Sequence, residues 1–354
     1  MSLQFIMGNS GSGKSYCLYD TVVREAIENP DKNYLVIVPE QFTMQTQKDL
    51  CLAHPKGGIM NIDVLSFGRL AYRVFEEVGQ DARVVLDDEG KNLVLRKIAG
   101  ECEKDLKVFK GNLKKQGYIS EVKSVLSEFA QYGVDFERLD DFMKEVPPES
   151  YLHYKLDDIR TIYEKFEEYL SEKYITKEEM LDVLSDAVPY SDILKGSVVA
   201  MDGFTGFTPV QNRLIGELFS VCEKVMITVT MDGRENPYVY EHPYQIFALG
   251  KQMVTSLMKI AGEKKTEIEE PICLFERPVY RFRDCSEMAF LETELFRYSG
   301  AKYNGSCESV SLHEVRSPGK EAKYVAESIR RLVRTKGYRY RDIAVIASDM
   351  NVYA

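Results

Sequence analysis

Gln4-Phe5-Ile6-Met7, running into Gly8-Asn9-Ser10-Gly11-Ser12-Gly13-Lys14-Ser15, is the stretch that decides how this 354-residue chain is read. A short apolar run leads into a glycine loop, and a helical pattern follows as far as Asn29-Pro30. The loop matches G-x-x-x-x-G-K-[ST] at every fixed position, in the strand, loop and helix order the motif requires. Glycines let successive backbone N–H groups turn inward on phosphate oxygens, Lys14 reaches the β- and γ-phosphates, and the Ser15 hydroxyl ligates Mg²⁺. Gly8, Asn9, Ser10, Gly11, Ser12, Gly13, Lys14 and Ser15 are therefore the expected ATP-binding residues, with Ser15 on the metal.

Such a loop needs a second element, an apolar strand ending in an acidic residue beside the Mg²⁺ shell. Val198-Val199-Ala200-Met201-Asp202 fits best, and its competing reading is a buried strand ending in an Asp202-Gly203 turn. Between loop and aspartate lie two more strand-like runs, Tyr34 to Pro39 and Ile62 to Phe67, each followed by a helix-compatible segment, which predicts a parallel α/β sheet. From Asp87 to Pro189 the pattern turns to charged amphipathic helices, Gly90 to Cys102, Ser120 to Tyr132 and Leu152 to Tyr174, broken at Pro147-Pro148. Residues 81–190 carry 17 basic and 25 acidic side chains, so most of the chain's net charge of −10 sits on this insertion, which reads as a solvated helical surface. Strand signals return at Val198 and at Lys224 to Thr230. After Lys264-Lys265 the pattern is ambiguous until a strand-like run from Val310 to Val315, a helix from Gly319 to Thr335 and a strand from Ile343 to Ala347. The expected organisation is one α/β domain over 1–86 and 190–309, an all-helical insertion over 87–189, and the beginning of a second α/β domain over 310–354. A chain that stops there reads as the N-terminal part of a longer one.

Composition narrows the remaining classes. No run of eighteen apolar residues and no signal-peptide start is present, which predicts a soluble, cytoplasmic protein without membrane contact. The seven cysteines and four histidines are dispersed without zinc spacing, predicting free thiols and no metal cluster or histidine-based nucleophile. An acidic chain draws nucleic acid only through a local basic surface.

The order of P-loop, Val38-Pro39-Glu40-Gln41-Phe42-Thr43, Leu65-Ser66-Phe67-Gly68-Arg69-Leu70, helical insertion and Asp202-Gly203-Phe204-Thr205-Gly206-Phe207-Thr208-Pro209-Val210-Gln211 resembles a UvrD-type superfamily 1 helicase core. More narrowly it resembles the AddB (RexB) family, which supplies one of the subunits of the bacterial ATP-dependent helicase/deoxyribonuclease AddAB, and the likeness runs on to Tyr340-Arg341-Asp342-Ile343-Ala344-Val345-Ile346-Ala347. The resemblance implies a P-loop NTPase (RecA-like) fold, a role in double-strand-break repair by homologous recombination, an AddA-type partner carrying the principal motor, contact with single-stranded DNA and break ends, and help in recognising a Chi-type sequence. It implies nuclease activity and an iron–sulfur cluster only for a C-terminal region outside these residues.

Departures from a working motor are informative. UvrD-type motors read D-E-x-Q-D where this chain has Asp202-Gly203-Phe204-Thr205-Gly206, so Asp202 is kept for Mg²⁺ while the glutamate that activates water is replaced by Gly203. Binding of ATP and Mg²⁺ with weak or absent hydrolysis is expected. The alternative is an active UvrD/RecB-type ATPase whose base comes from Glu217 or Glu235. For DNA, the resemblance places Gln41, Phe42, Thr43, Ser66, Phe67 and Arg69 at the contact surface, with Phe42 or Phe67 either stacking a base or filling the core. The basic run Arg330 to Arg341 either lines a DNA channel or complements a helix end.

Overall fold

Pairing of the apolar runs builds one sheet in which every strand neighbour is parallel, in a computed structural model that describes residues 1–79, 84–112, 115–170 and 174–353. The chain divides into two compact units, Met1–Arg283 and Asp284–Ala354. In the first, β1 (Ser2–Gly8), α1 (Lys14–Glu28), β2 (Tyr34–Ile37), α2 (Thr43–Ala53), β3 (Ile62–Leu65) and α3 (Phe67–Val78) alternate as the sequence predicts. The insertion follows as β4 (Val84–Leu86), α4 (Asp88–Cys102), α5 (Gln116–Tyr132), α6 (Phe136–Glu145), α7 (Tyr151–Leu170) and β5 (Tyr174–Thr176). Then α8 (Met180–Ala187), β6 (Val198–Met201), α9 (Pro209–Val221), β7 (Lys224–Thr230), α10 (Ala248–Lys264), β8 (Glu267–Ile268) and β9 (Ile272–Leu274) complete the unit.

Sheet order is β3-β2-β6-β7-β1-β8, with β9 also on β1, and Phe5 stands opposite Ile227. All four residues of β2 and of β6 are buried, as strands covered on both faces must be. One face packs α1 and α2 through Leu18, Val22, Val23 and Leu50 onto Ile6, Val36 and Ala200. The other packs α3, α8, α9 and α10 onto Phe5, Ile37, Met201 and Ile227. The order reverses at β1, since the chain leaves it for β2 beyond β7 and β6 and returns to its other side only with β8. Such a reversal opens a crevice at the carboxyl ends of the strands, where Gly8, Asp202 and Thr230 lie.

Helix starts follow local chemistry. Ser66 caps α3 by accepting a hydrogen bond from the Arg69 N–H at 3.4 Å. Thr208 and Gln211 form a reciprocal capping box at α9, with Pro209 in the first turn. Part of what marks SFGRL and FTPVQ is therefore the requirement to begin a helix.

The insertion has its own core, built from Leu95, Ile98, Leu126, Ile159, Ile162 and Phe166 among others. It is not all helical: β4 and β5 pair in parallel, Val84 opposite Tyr174, where the chain enters and leaves the insertion. The helix expected from Leu152 to Tyr174 is described as Tyr151–Leu170; residues 171–173 lie outside the described ones, and Tyr174 opens a strand instead. Helical periodicity could not forecast that strand, because its partner lies far away in sequence. The Lys91 ammonium, buried, sits 2.6 Å from Glu178 and ties α4 to the segment between β5 and α8.

In the second unit α11 (Ser286–Glu294) precedes α12 (Pro318–Lys336), which begins under a Ser317 cap and ends at Gly337 with φ +75°. The predicted helix is there. The strands expected at Val310 to Val315 and Ile343 to Ala347 are not formed, and no strand occurs among the described residues of this unit. Neither run pairs with another strand among the described residues, and an extended run without a ladder is not held as a strand.

Candidate nucleotide site

The Gly8 to Ser15 loop bridges the end of β1 and the start of α1, and its glycines are required by geometry. Gly11 and Gly13 take φ of +84° and +97°, in the left-handed region that side chains avoid. A Cβ at Gly8 would strike the Ser12 hydroxyl and come within 2.7 Å of the Leu274 carbonyl. Lys14 folds back over the loop and donates to the carbonyls of Gly8 at 3.0 Å and Asn9 at 2.9 Å. Burial lowers its ammonium to about 8, with Asp202 pulling upward and Arg281 adding to the depression. The Ser12 hydroxyl is buried and has no partner, and Ser15 stands exposed in the first turn of α1. A cradle with an orphaned hydroxyl, a partly desolvated cation and a helix N-terminus fits a phosphate chain.

Asp202, only 8% exposed, is oriented by two hydroxyls: Thr228 donates to Oδ1 at 2.6 Å and Tyr19 to Oδ2 at 2.8 Å. Sequence reasoning missed both. Thr228 carried a signal, a hydroxyl inside the otherwise apolar Val225 to Val229 run, whereas Tyr19 reads as one more residue of an amphipathic helix. Burial first, and then Asp202, raise the Tyr19 phenol far above its usual range, so it stays a donor. Arg281 was also missed; its N–H donates to the Gly11 carbonyl at 3.0 Å, and a Cβ on Gly11 would lie 2.7 Å from its own. Nothing in the local sequence places a residue 270 positions downstream on the loop.

Gly203 has φ +80°, and a Cβ there would sit 3.5 Å from Pro39 and 3.8 Å from the Phe42 ring. The two formal candidates for a replacement base are engaged elsewhere, Glu217 with Lys264 at 2.9 Å and Glu235 with the buried Lys251 at 2.7 Å. Of the residues marked for DNA, Gln41, Phe42 and Arg69 are exposed, Phe42 at 48%. Thr43 is buried and donates to the Glu40 carbonyl, Ser66 is the cap of α3, and Phe67 packs against Phe204 and Phe207 with ring centres 5.4 and 6.3 Å away. Packing rather than exposure holds the Phe67 ring. A groove of about 520 Å³, lined by Tyr132, Phe207, Thr208, Asn212, Leu249 and Gln252, opens between the end of α5 and the starts of α9 and α10.

Asp232, just past β7, is buried and bonded to Arg234 and Arg277, each at 2.7 Å. Burial opposes its charge, but the two guanidiniums and the Arg234 N–H outweigh that and hold its carboxyl well below the ordinary 3.8. Because the folded value is depressed, this stabilisation is complete above the ordinary value and is lost on acidification below it. Asp232→Ala is expected to cost about 3 kcal/mol in urea unfolding at neutral pH. The gap from wild type should narrow below pH 3.8, and a gap independent of pH would refute the assignment.

A match to the family described as ADDB, N-terminal, covers residues 5–292. The chain belongs to the AddB family. Three AddB relatives, each named as an ATP-dependent helicase/deoxyribonuclease subunit, match over the whole chain: one from Lachnoclostridium phytofermentans at 42% identity, one from Clostridium tetani at 34% and one from Thermoanaerobacter pseudethanolicus at 36%. The chain spans 31%, 31% and 30% of those AddB proteins. Among its described residues no helix is long and apolar enough to cross a membrane.

Proposed function

We propose that this chain is the helicase-like, ATP-binding part of an AddB protein, with a RecA-like P-loop fold, working beside an AddA-type partner in the cytoplasmic repair of DNA double-strand breaks. The observation that carries the reading is the glycine cradle at the reversal point of a parallel sheet, with Lys14 over its mouth and Asp202 fixed at the end of β6. Gly8 to Ser15 enclose the phosphates, Arg281 adds positive charge beside Gly11, and Ser15 and Asp202 hold Mg²⁺, which when bound neutralises phosphate charge. Single-stranded DNA lies along the exposed Gln41, Phe42 and Arg69, and a Chi-type sequence is read in a complex that binds more than it turns over. The cysteines are free thiols scattered through the chain, so iron–sulfur ligation is not assigned to these residues.

Weak hydrolysis follows from Gly203 and from the engagement of Glu217 and Glu235 in ion pairs. In the full-length protein, DNA-stimulated phosphate release is expected at least about a hundredfold below the ~10 s⁻¹ typical of enzymes, although Mg-ATP binds. Gly203→Glu supplies a carboxylate but forces a side chain into φ +80°, costing about 1–2 kcal/mol, so a gain in turnover should come with lower stability. Rapid wild-type release abolished by Lys14→Ala would instead establish an active motor.

A further inference from the structure

On the reading of Lys14, Ser15 and Asp202 as a Mg-nucleotide site, we propose that Tyr19 is a positioning residue that transmits occupancy of that site to helix α2. The Tyr19 oxygen lies 2.8 Å from Asp202 Oδ2 and 3.2 Å from the Thr46 hydroxyl. A phenol has one proton, so while Tyr19 donates to Asp202, Thr46 must donate to Tyr19; the three groups form a directed chain from α2 through α1 to the end of β6. That chain has a second arrangement open to it: with Mg²⁺ held at Ser15 and Asp202 the carboxylate would be drawn off Tyr19, Tyr19 would donate to Thr46, and the Thr46 proton would turn to a backbone carbonyl of its own helix. Thr46 is 4% exposed and shares the buried face of α2 with Thr43 and Leu50, so water does not compete for its hydroxyl in either arrangement. Helix α2 begins directly after Gln41 and Phe42, and Phe42 lies beside Gly203, the residue after Asp202. The same few side chains thus join the phosphate site to an exposed aromatic turn. Two discrete bonding states, rather than proximity alone, give this route physical content.

The test uses the full-length protein with Mg²⁺ and a non-hydrolysable ATP analogue, measuring analogue affinity together with amide hydrogen exchange over residues 43–53. In wild type the analogue should change α2 exchange by about fivefold or more. Tyr19→Phe keeps the ring but removes a hydroxyl from Asp202, so binding weakens by up to about tenfold; with the analogue raised to saturation, the α2 response should still fall below about twofold. Thr46→Val leaves the bond from Tyr19 to Asp202 intact and should also lose the response; it decides the matter if Tyr19→Phe does not fold. A wild-type response in both variants overturns the inference and leaves the nucleotide site standing. A folded wild type that binds no analogue overturns the site and the inference together.

Discussion

Lys14→Ala in the full-length protein should weaken Mg-nucleotide binding by at least about a hundredfold, with little change in stability. The ammonium lies against two loop carbonyls, at 3.0 and 2.9 Å, and a phosphate oxygen is a far stronger acceptor than either. Each charge-assisted hydrogen bond contributes about 1.5–3 kcal/mol, so two of them account for the loss. Stability should hold because the loop's shape comes from Gly11 and Gly13 and from the Arg281 N–H on Gly11, none of which the substitution touches. The depressed value of Lys14 adds a pH signature. A ligand anion favours the charged ammonium, so binding takes up a proton once the pH exceeds about 8, and affinity should fall as pH rises past that point in wild type only. Titration of a fluorescent ATP analogue across pH 6.5–9.5 measures both effects. Unchanged affinity in Lys14→Ala would remove the phosphate assignment.

How much of this was legible beforehand depends on whether a feature is local. The loop, β1, β2, β3, β6 and β7 announce themselves through short, mostly apolar runs and glycine spacing, because their constraints lie within a few residues. Tyr19, Thr228 and Arg281 do not, since each acts through a partner brought close only by sheet order. Burial also sorts residues that sequence treats alike: Phe42 and Phe67 follow equivalent strands, yet one is exposed and the other closes on Phe204 and Phe207. Gly203 reads as a missing base, and its φ of +80° adds that the backbone there is a turn that disfavours any side chain. The residue type and the local conformation thus fit one another.

The insertion hides its most consequential residue in the same way, and Asp158→Ala should destabilise it by on the order of 4 kcal/mol. Asp157-Asp158 sits in a helix so charged that both read as solvated, but only Asp157 faces outward, to Lys107 at 2.9 Å. Asp158, 1% exposed, accepts three backbone N–H groups, from Lys107 at 2.8 Å, Val108 at 2.7 Å and Phe109 at 2.8 Å. It thereby pins the link between α4 and α5, and Leu106 and Phe109, both in the insertion core, depend on that placement. Alanine would leave buried donors unsatisfied at about 1–3 kcal/mol each, and asparagine would set an N–H₂ against them, recovering only part of the loss. The insertion core is separate from the two cores that flank the large sheet. Urea unfolding of Asp158→Ala should therefore show an early transition in probes on α4 to α7, while affinity for the ATP analogue stays within about threefold of wild type because the cradle is untouched. If nucleotide binding collapses along with the insertion, the two cores fold as one cooperative unit, and the buried pair of Lys91 and Glu178 with the β4 and β5 ladder is the connection to break next.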